Sequence, residues 1–298
     1  MTFRTCRLAC TWLLFTVAAA VLAQEEDTAP RAVVPPAGYS SQLDATYVKV
    51  GDWEGKMDLF LPPASNGPSP AIIKIHGGGW THGTRVSPGG VYFQMGFALI
   101  NVEYRFVQVA PAPAAIEDSR CALKYVMDHA KELNIDTKRI VLQGGSAGGH
   151  LVLMTGLLGN DRRFDGNCPG DTDMRVAAIV DDYGPTDFTK QSWPIISKNK
   201  SAVNWLAAKA NDESFKASVS PVTYVNRQSP AVIIFHGDLD HTVPFEQSTV
   251  LEEKLKAAGV KTELVVVQGA GHGKFTHEQG AFEDAKIQEF LKAAGVIQ

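Results

Sequence analysis

Cysteine is scarce, with four residues among 298, and no C-x-x-C pair or Cys/His cluster occurs, so the chain encodes no structural zinc site and calls for no metal or cofactor. Basic charge is not in excess. Lys and Arg number 28 against 32 Asp and Glu, a formal net charge of −4, and no basic stripe interleaved with aromatics is present, which argues against a nucleic-acid partner. The absence of an internal repeat excludes a solenoid or propeller. Long apolar runs are also missing, since the uncharged stretch Leu8–Ala23 falls short of the about twenty residues that a membrane span needs. With Arg4 and Arg7 before it and Ala23 at its end, that stretch reads as a secretory signal peptide, residues 1–23, with an uncleaved anchor as the alternative. Residues 24–41, rich in Pro, Ala and acids, read as a flexible leader to a domain spanning 42–298. Signal cleavage would leave 26 basic against 32 acidic side chains, and only Cys121 and Cys168 of the cysteines; a bridge between these two is sterically open and not required.

What is present is a set of turns at the ends of apolar strands. Arg139–Gln143 reads as a buried strand and Gly149–Leu158 as a helix, and between them lies Gly144-Gly145-Ser146-Ala147-Gly148. A serine held at a strand-to-helix turn between glycines is a nucleophile elbow, because side chains at the glycine positions would crowd the turn. Upstream, the apolar run Ala71–Ile75 stops at His76-Gly77-Gly78-Gly79-Trp80, whose glycines leave backbone N–H groups uncovered. Gly77, Gly78 and Ala147 are the candidate donors to an oxyanion. Downstream, Ala231–Phe235 precedes His236-Gly237-Asp238-Leu239-Asp240, and Val265–Gln268 leads into Gly269-Ala270-Gly271-His272-Gly273. Asp238 and Asp240 compete for the acid. His272 is favoured as the base over His241 and His277, since neither of those sits in a glycine-flanked loop directly after the last strand. His76, His150 and His236 read as structural or hydrogen-bonding residues. The chain order is Ser, Asp, His, which differs from that of the two best-known serine proteases.

These motifs resemble the α/β-hydrolase superfamily, and within it the HGGG-type esterases and prolyl-oligopeptidase-like carbohydrate esterases (acetylxylan and feruloyl esterase-like). The resemblance runs from about Tyr47 to the C-terminus and includes Val102-Glu103-Tyr104-Arg105, Ala115-Ile116-Glu117-Asp118, Asp182-Tyr183-Gly184-Pro185-Thr186-Asp187 and Ser220–Val225. It implies Ser146 as nucleophile, His272 as base and Asp240, by its spacing after His236-Gly237 and before Val243-Pro244, as acid.

The alternation of strands and helices predicts an α/β fold with a mostly parallel eight-stranded sheet, helices on both faces and a small lid. Strands fall near 46–51, 57–62, 71–76, 98–104, 139–144, 176–182, 231–236 and 262–268, with a first antiparallel pair joined at Trp53-Glu54-Gly55. Ala112–Leu133 is the clearest helix. The stretch from Phe188 to Gln228 is long enough for a lid, and its Trp193, Ile195, Ile196 and Trp205, with Phe188 and with Trp80 beside the oxyanion turn, are candidate substrate contacts, packing within the lid being the alternative. The expected activity is that of a secreted or periplasmic serine carboxylester hydrolase. It would act through an acyl-enzyme on small-molecule or carbohydrate-linked esters, acetyl or feruloyl, without stable membrane association after signal cleavage. A prolyl-oligopeptidase-type peptidase or arylamidase is the alternative, weakened by the lack of an evident acidic pair for a peptide amino terminus.

Overall fold

The computed structural model describes residues 33–64, 67–85, 89–189 and 197–298. The expected signal peptide and residues 24–32 of the expected leader lie outside the described residues, as do Trp193, Ile195 and Ile196. Ser40 and Ser41, expected in the leader, already belong to the first strand.

Strand β1 (Ser40–Val50) turns back into β2 (Trp53–Leu61), and Val50 pairs with Trp53 across a two-residue turn. The turn is Gly51-Asp52 and not Trp53-Glu54-Gly55, because Gly51 supplies the positive φ, 58°, that a tight hairpin needs. Gly55 lies within β2 instead, where any side chain would collide with the Tyr47 ring. Next come β3 (Ser69–Ile75), helix α1 (Gly90–Gln94), β4 (Ala98–Val102), α2 (Ala114–Asp128), β5 (Ile135–Gly145), α3 (Ala147–Leu157) and β6 (Ala178–Asp182). Helix α2 is shorter than the expected Ala112–Leu133. Pro113 stands at its N-cap, and the chain after Asp128 goes into turns.

Two short helices follow, α4 (Lys200–Leu206) and α5 (Glu213–Ser218), inside the expected lid stretch. The Asn199 side chain caps α4 by accepting from the N–H groups of Ser201 and Ala202, and Asp212 caps α5 through Phe215 N–H. Strand β7 (Ala231–Gly237), helix α6 (Glu246–Ala257), β8 (Thr262–Val267) and α7 (His277–Ala293) complete the fold. The sheet has eight strands in the order β1-β2-β4-β3-β5-β6-β7-β8. β1, β2 and β4 pair antiparallel, and every pairing from β4 to β8 is parallel.

Central strands buried on both faces explain the continuous apolar runs in the sequence. Ile73, Ile75, Leu142 and Ile234 pack with α2, α3 and α6, while Ile72, Val141, Val180 and Phe235 pack on the face that carries α1 and α7. Every residue of α3 is buried, so its sequence carries no polar face. The loop after α3 is tied to α2 by a buried ion pair in which Arg120 Nε lies 2.8 Å from Asp165 Oδ1, and Arg120 also donates to the carbonyls of Thr155 in α3 and of Gly159 and Asp161 beyond it. Beside it, Cys121 on α2 forms a disulfide with Cys168 across 47 residues of sequence. Among the described residues, no helix is long and apolar enough to cross a membrane.

Closing a loop of this length restricts the unfolded chain, so the double substitution Cys121→Ser/Cys168→Ser should lower stability by about 4 kcal/mol. Urea unfolding followed by circular dichroism checks this, and an unchanged midpoint would contradict it.

Candidate active site

Ser146 is the single residue between β5 and α3, with φ 56° and ψ −120°. A non-glycine residue in that region carries roughly 1–3 kcal/mol of strain, so the surroundings must impose it. They do so by close approach. A Cβ at Gly148 would lie 2.1 Å from Ile75 O, and one at Gly144 would lie 2.5 Å from Gly148 C, so β3, β5 and α3 cross here only because both residues are glycine. The Ser146 N–H donates to Asp182 O at 2.8 Å, and Ser146 O accepts from His150 N–H at 3.0 Å. The hydroxyl is thereby lifted clear of the sheet end.

His272, in the loop after β8, places Nε2 2.8 Å from Ser146 Oγ and Nδ1 2.7 Å from Asp240 Oδ2. With Nδ1–H donating to Asp240, Nε2 is left to accept the serine proton. Asp240 Oδ1 accepts from the N–H groups of Thr242 (2.7 Å) and Val243 (2.9 Å), and Oδ2 also stands 3.3 Å from His236 Nε2. Burial acts to raise the Asp240 carboxyl, but the hydrogen bonds from His236, His272, Val243 and Thr242 hold it well below the usual carboxylate range. His236 is itself fixed, with Nδ1 2.6 Å from Ser248 Oγ.

The competitors lie elsewhere. Asp238 is exposed and accepts from Gly269 N–H at 2.6 Å, bracing the loop that carries His272. His241 is exposed, and His277 is the exposed first residue of α7.

The glycine turn after β3 faces Ser146. Gly78 has φ 107° and Trp80 φ 58°, and a Cβ on Gly77 would come within 2.8 Å of Gly145 O. Among the described residues, the N–H groups of Gly77, Gly78 and Ala147 have no protein acceptor. The turn is braced from below by the motif that follows β4. Tyr104 Oη lies 3.1 Å from His76 O and 3.2 Å from Gly77 O, and its ring stacks on His76. Arg105 next to it grips the buried Asp118 of α2, whose carboxyl burial pushes up to about 6 against the opposing pull of Arg105. The resemblance residues Tyr104, Arg105 and Asp118 thus support the turn without reaching the reacting atoms.

The cavity above Ser146 holds about 600 Å³. Trp80 forms part of its wall but is only 1% exposed. Trp205, expected to contact substrate, is fully buried and does not line the cavity. Its ring stacks on Trp80 at 4.6 Å between centroids, with Phe188 and His150 edge-on or tilted around the pair. Phe188 and Trp205 therefore anchor α4 to the oxyanion turn and are not contact surface, because this is where their apolar area can leave water. Burial pushes His150 down to about 4, and its Nε2–H donates to Val219 O at 2.9 Å.

Sequence reasoning did not single out Tyr183, Lys74 and Gln143 as site residues, and all three line the cavity. Tyr183 packs against the His272 ring at 4.8 Å. A signal existed for the other two: a lysine and a glutamine interrupt otherwise apolar central strands.

Two outcomes test this geometry. Asp240→Asn should cost about four orders of magnitude in kcat, whereas Asp238→Asn should cost far less, and kcat of both variants on a chromogenic ester reads the ranking. The folded state holds His150 neutral at about 4 against an ordinary 6.5, so its contribution to stability is complete above about pH 6.5 and is lost as pH falls toward about 4. His150→Gln should flatten that part of the Tm against pH curve, and an unchanged slope would contradict the assignment.

The model of the BD-FAE family matches residues 57–255, about two thirds of the chain. Among curated proteins, the probable carboxylic ester hydrolase LipM of Mycobacterium tuberculosis is 30% identical over 230 residues, 73% of this chain and 52% of that protein. Esterase LipC of the same organism is 29% identical over 69% of this chain and 53% of its own length. The chain thus spans about half the length of the curated relatives it matches. Among solved structures, a truncated carbohydrate esterase from gut microbiota superimposes with a TM-score of 0.73 at 27% identity, covering 86% of this chain and 98% of that one. Propionate-bound esterase 2 of Thermogutta terrifontis, with a TM-score of 0.70 and 24% identity over 88% of this chain and 96% of its own, shares the fold. With the eight-stranded sheet, the elbow and the family match in agreement, the chain belongs to the BD-FAE family and has the α/β-hydrolase fold.

Proposed function

We propose that this protein is an exported serine carboxylester hydrolase that removes short acyl groups from carbohydrate-linked esters. The observation that carries the reading is the unbroken hydrogen-bonded line from Ser146 Oγ through His272 to Asp240, opening into a cavity lined by both polar and apolar residues. In the reaction, Oγ attacks the ester carbonyl carbon as His272 Nε2 takes its proton. The oxygen that becomes negative is held by the N–H groups of Gly77, Gly78 and Ala147, each such donor typically worth about 3 kcal/mol. Collapse expels the alcohol, which receives the proton from His272 and leaves an acyl-serine. Water then attacks that acyl group with His272 again as base, releasing the acid and restoring Ser146. Asp240 keeps the imidazole oriented and stabilises its charged form without taking the proton.

The substrate class rests on the wall of the cavity. Lys74, Gln143, Asp182, Asn199, Ser201 and Thr242 offer donors and acceptors suited to hydroxyl groups, beside apolar surface from residues such as Ile75, Pro185 and Val243. A polar alcohol with a short acyl group fits that balance, and the likeness to a carbohydrate esterase supports it. Export is supported by the signal-like Leu8–Ala23 stretch behind Arg4 and Arg7, and by the Cys121–Cys168 bridge, which suits an oxidising compartment.

The test is kcat/KM on p-nitrophenyl acetate, acetylated xylan, methyl ferulate and an aminoacyl p-nitroanilide, for the protein and for Ser146→Ala. The esters should turn over, the anilide should not, and Ser146→Ala should lose about five to six orders of magnitude in kcat. Turnover of the anilide in preference to every ester would make it a peptidase.

A further inference from the structure

We propose that a second cleft, meeting the catalytic cavity at Lys74 and Gln143, binds a neutral sugar unit of the substrate next to the one that carries the ester. This deepens the carbohydrate-ester reading and rests on it.

Lys74 and Gln143 are register partners on β3 and β5, and their positions alternate onto the face that holds Ile72 and Val141, under α1 and α7. Both side chains line the catalytic cavity and also a separate space of about 360 Å³. Tyr92 of α1 and Glu283 and Asp284 of α7 form other walls of that space. Gly90 and Gly280 also line it, and a Cβ at either would meet nothing within 4 Å.

Among the described residues, two buried polar atoms at this cleft have no hydrogen-bond partner: Tyr92 Oη, on a residue 2% exposed, and Gln143 Oε1, on a residue 5% exposed. A polar atom left unsatisfied in the interior typically costs about 1–3 kcal/mol, so two at one cleft mark a place for a hydrogen-bonding ligand.

The charges define which ligand. An anion would face the carboxyl groups of Asp182 and Asp284, and a cation would face Lys74. Burial, then the neighbouring Asp182 carboxyl, raises Glu283, which is hydrogen-bonded to Asp182. A cleft offering a phenol and an amide oxygen, with groups of both charge signs around them, matches a neutral ligand rich in hydroxyls. Both spaces are lined by Lys74 and Gln143, so the proposed path of a sugar chain esterified at Ser146 runs past these two side chains.

Tyr92→Phe removes one hydroxyl and keeps the ring. Gly280→Leu adds a side chain at a half-buried, cleft-lining position of α7 and tests the cleft should the first variant fold poorly. Each should raise KM for an acetylated xylo-oligosaccharide roughly tenfold, while kcat/KM for p-nitrophenyl acetate, too small to reach the cleft, stays unchanged. Equal KM for the oligosaccharide in the protein and both variants would overturn the proposal while leaving the esterase reading intact. Calorimetric titration of unesterified xylo-oligosaccharide into Ser146→Ala, with and without Tyr92→Phe, separates the two claims. Binding that weakens with Tyr92→Phe supports the cleft even if no sugar ester is cleaved, and no sugar binding at all overturns it.

Discussion

The left-handed backbone of Ser146 is the constraint on which the rest of the site depends. It exists because β5 must end, turn and enter α3 within one residue while the carbonyl of Ile75 passes 2.1 Å from where a Cβ of Gly148 would stand. Strain of this kind persists only where the surroundings offset it. Here α3 is buried along its whole length, and the parallel register of β5 and β6 puts Gly145 opposite Asp182, whose carbonyl receives the Ser146 N–H. The strain positions the hydroxyl, and the core holds the strain.

The same economy of position governs the other side of the sheet end. Asp240 is reached by two imidazoles and two backbone N–H groups, so its negative charge is kept in a place where burial alone would remove it. His236, at the end of β7, and Ser248, on α6, connect this carboxylate to the rigid part of the fold. The oxyanion turn is built in a comparable way, with Tyr104 and the Arg105–Asp118 pair beneath it and the Trp80–Trp205 stack beside it. The three loops that meet at the substrate thus each rest on a buried interaction of a different kind.

Much of this was legible in the sequence. The eight strands, the parallel majority and the order Ser, Asp, His follow from short apolar runs that end in glycine-rich turns, because turn chemistry is local. Choosing between Asp238 and Asp240 from the residues alone was not possible, since both follow β7 and only the path of the chain shows that one braces Gly269 while the other meets His272. Trp205 was misplaced for a related reason: an aromatic residue in an insertion looks the same whether it faces substrate or the core, and its stacking partner Trp80 lies far away in sequence. The hairpin turn lies two residues before the expected Trp53-Glu54-Gly55, because Gly51 supplies the positive φ and the smallness of Gly55 serves the Tyr47 ring instead. Lys74 and Gln143 carried a signal that periodicity alone does not interpret, since a polar residue in a buried strand acquires meaning only once a cavity is seen beside it.

The central claim is that Ser146 is an activated nucleophile, and labelling by a fluorophosphonate tests it most directly. Intact mass and peptide mapping should show one adduct per chain, on the peptide that contains Ser146, with labelling lost in Asp240→Asn. An unlabelled protein that still hydrolyses esters, or an adduct on another residue, would contradict the account.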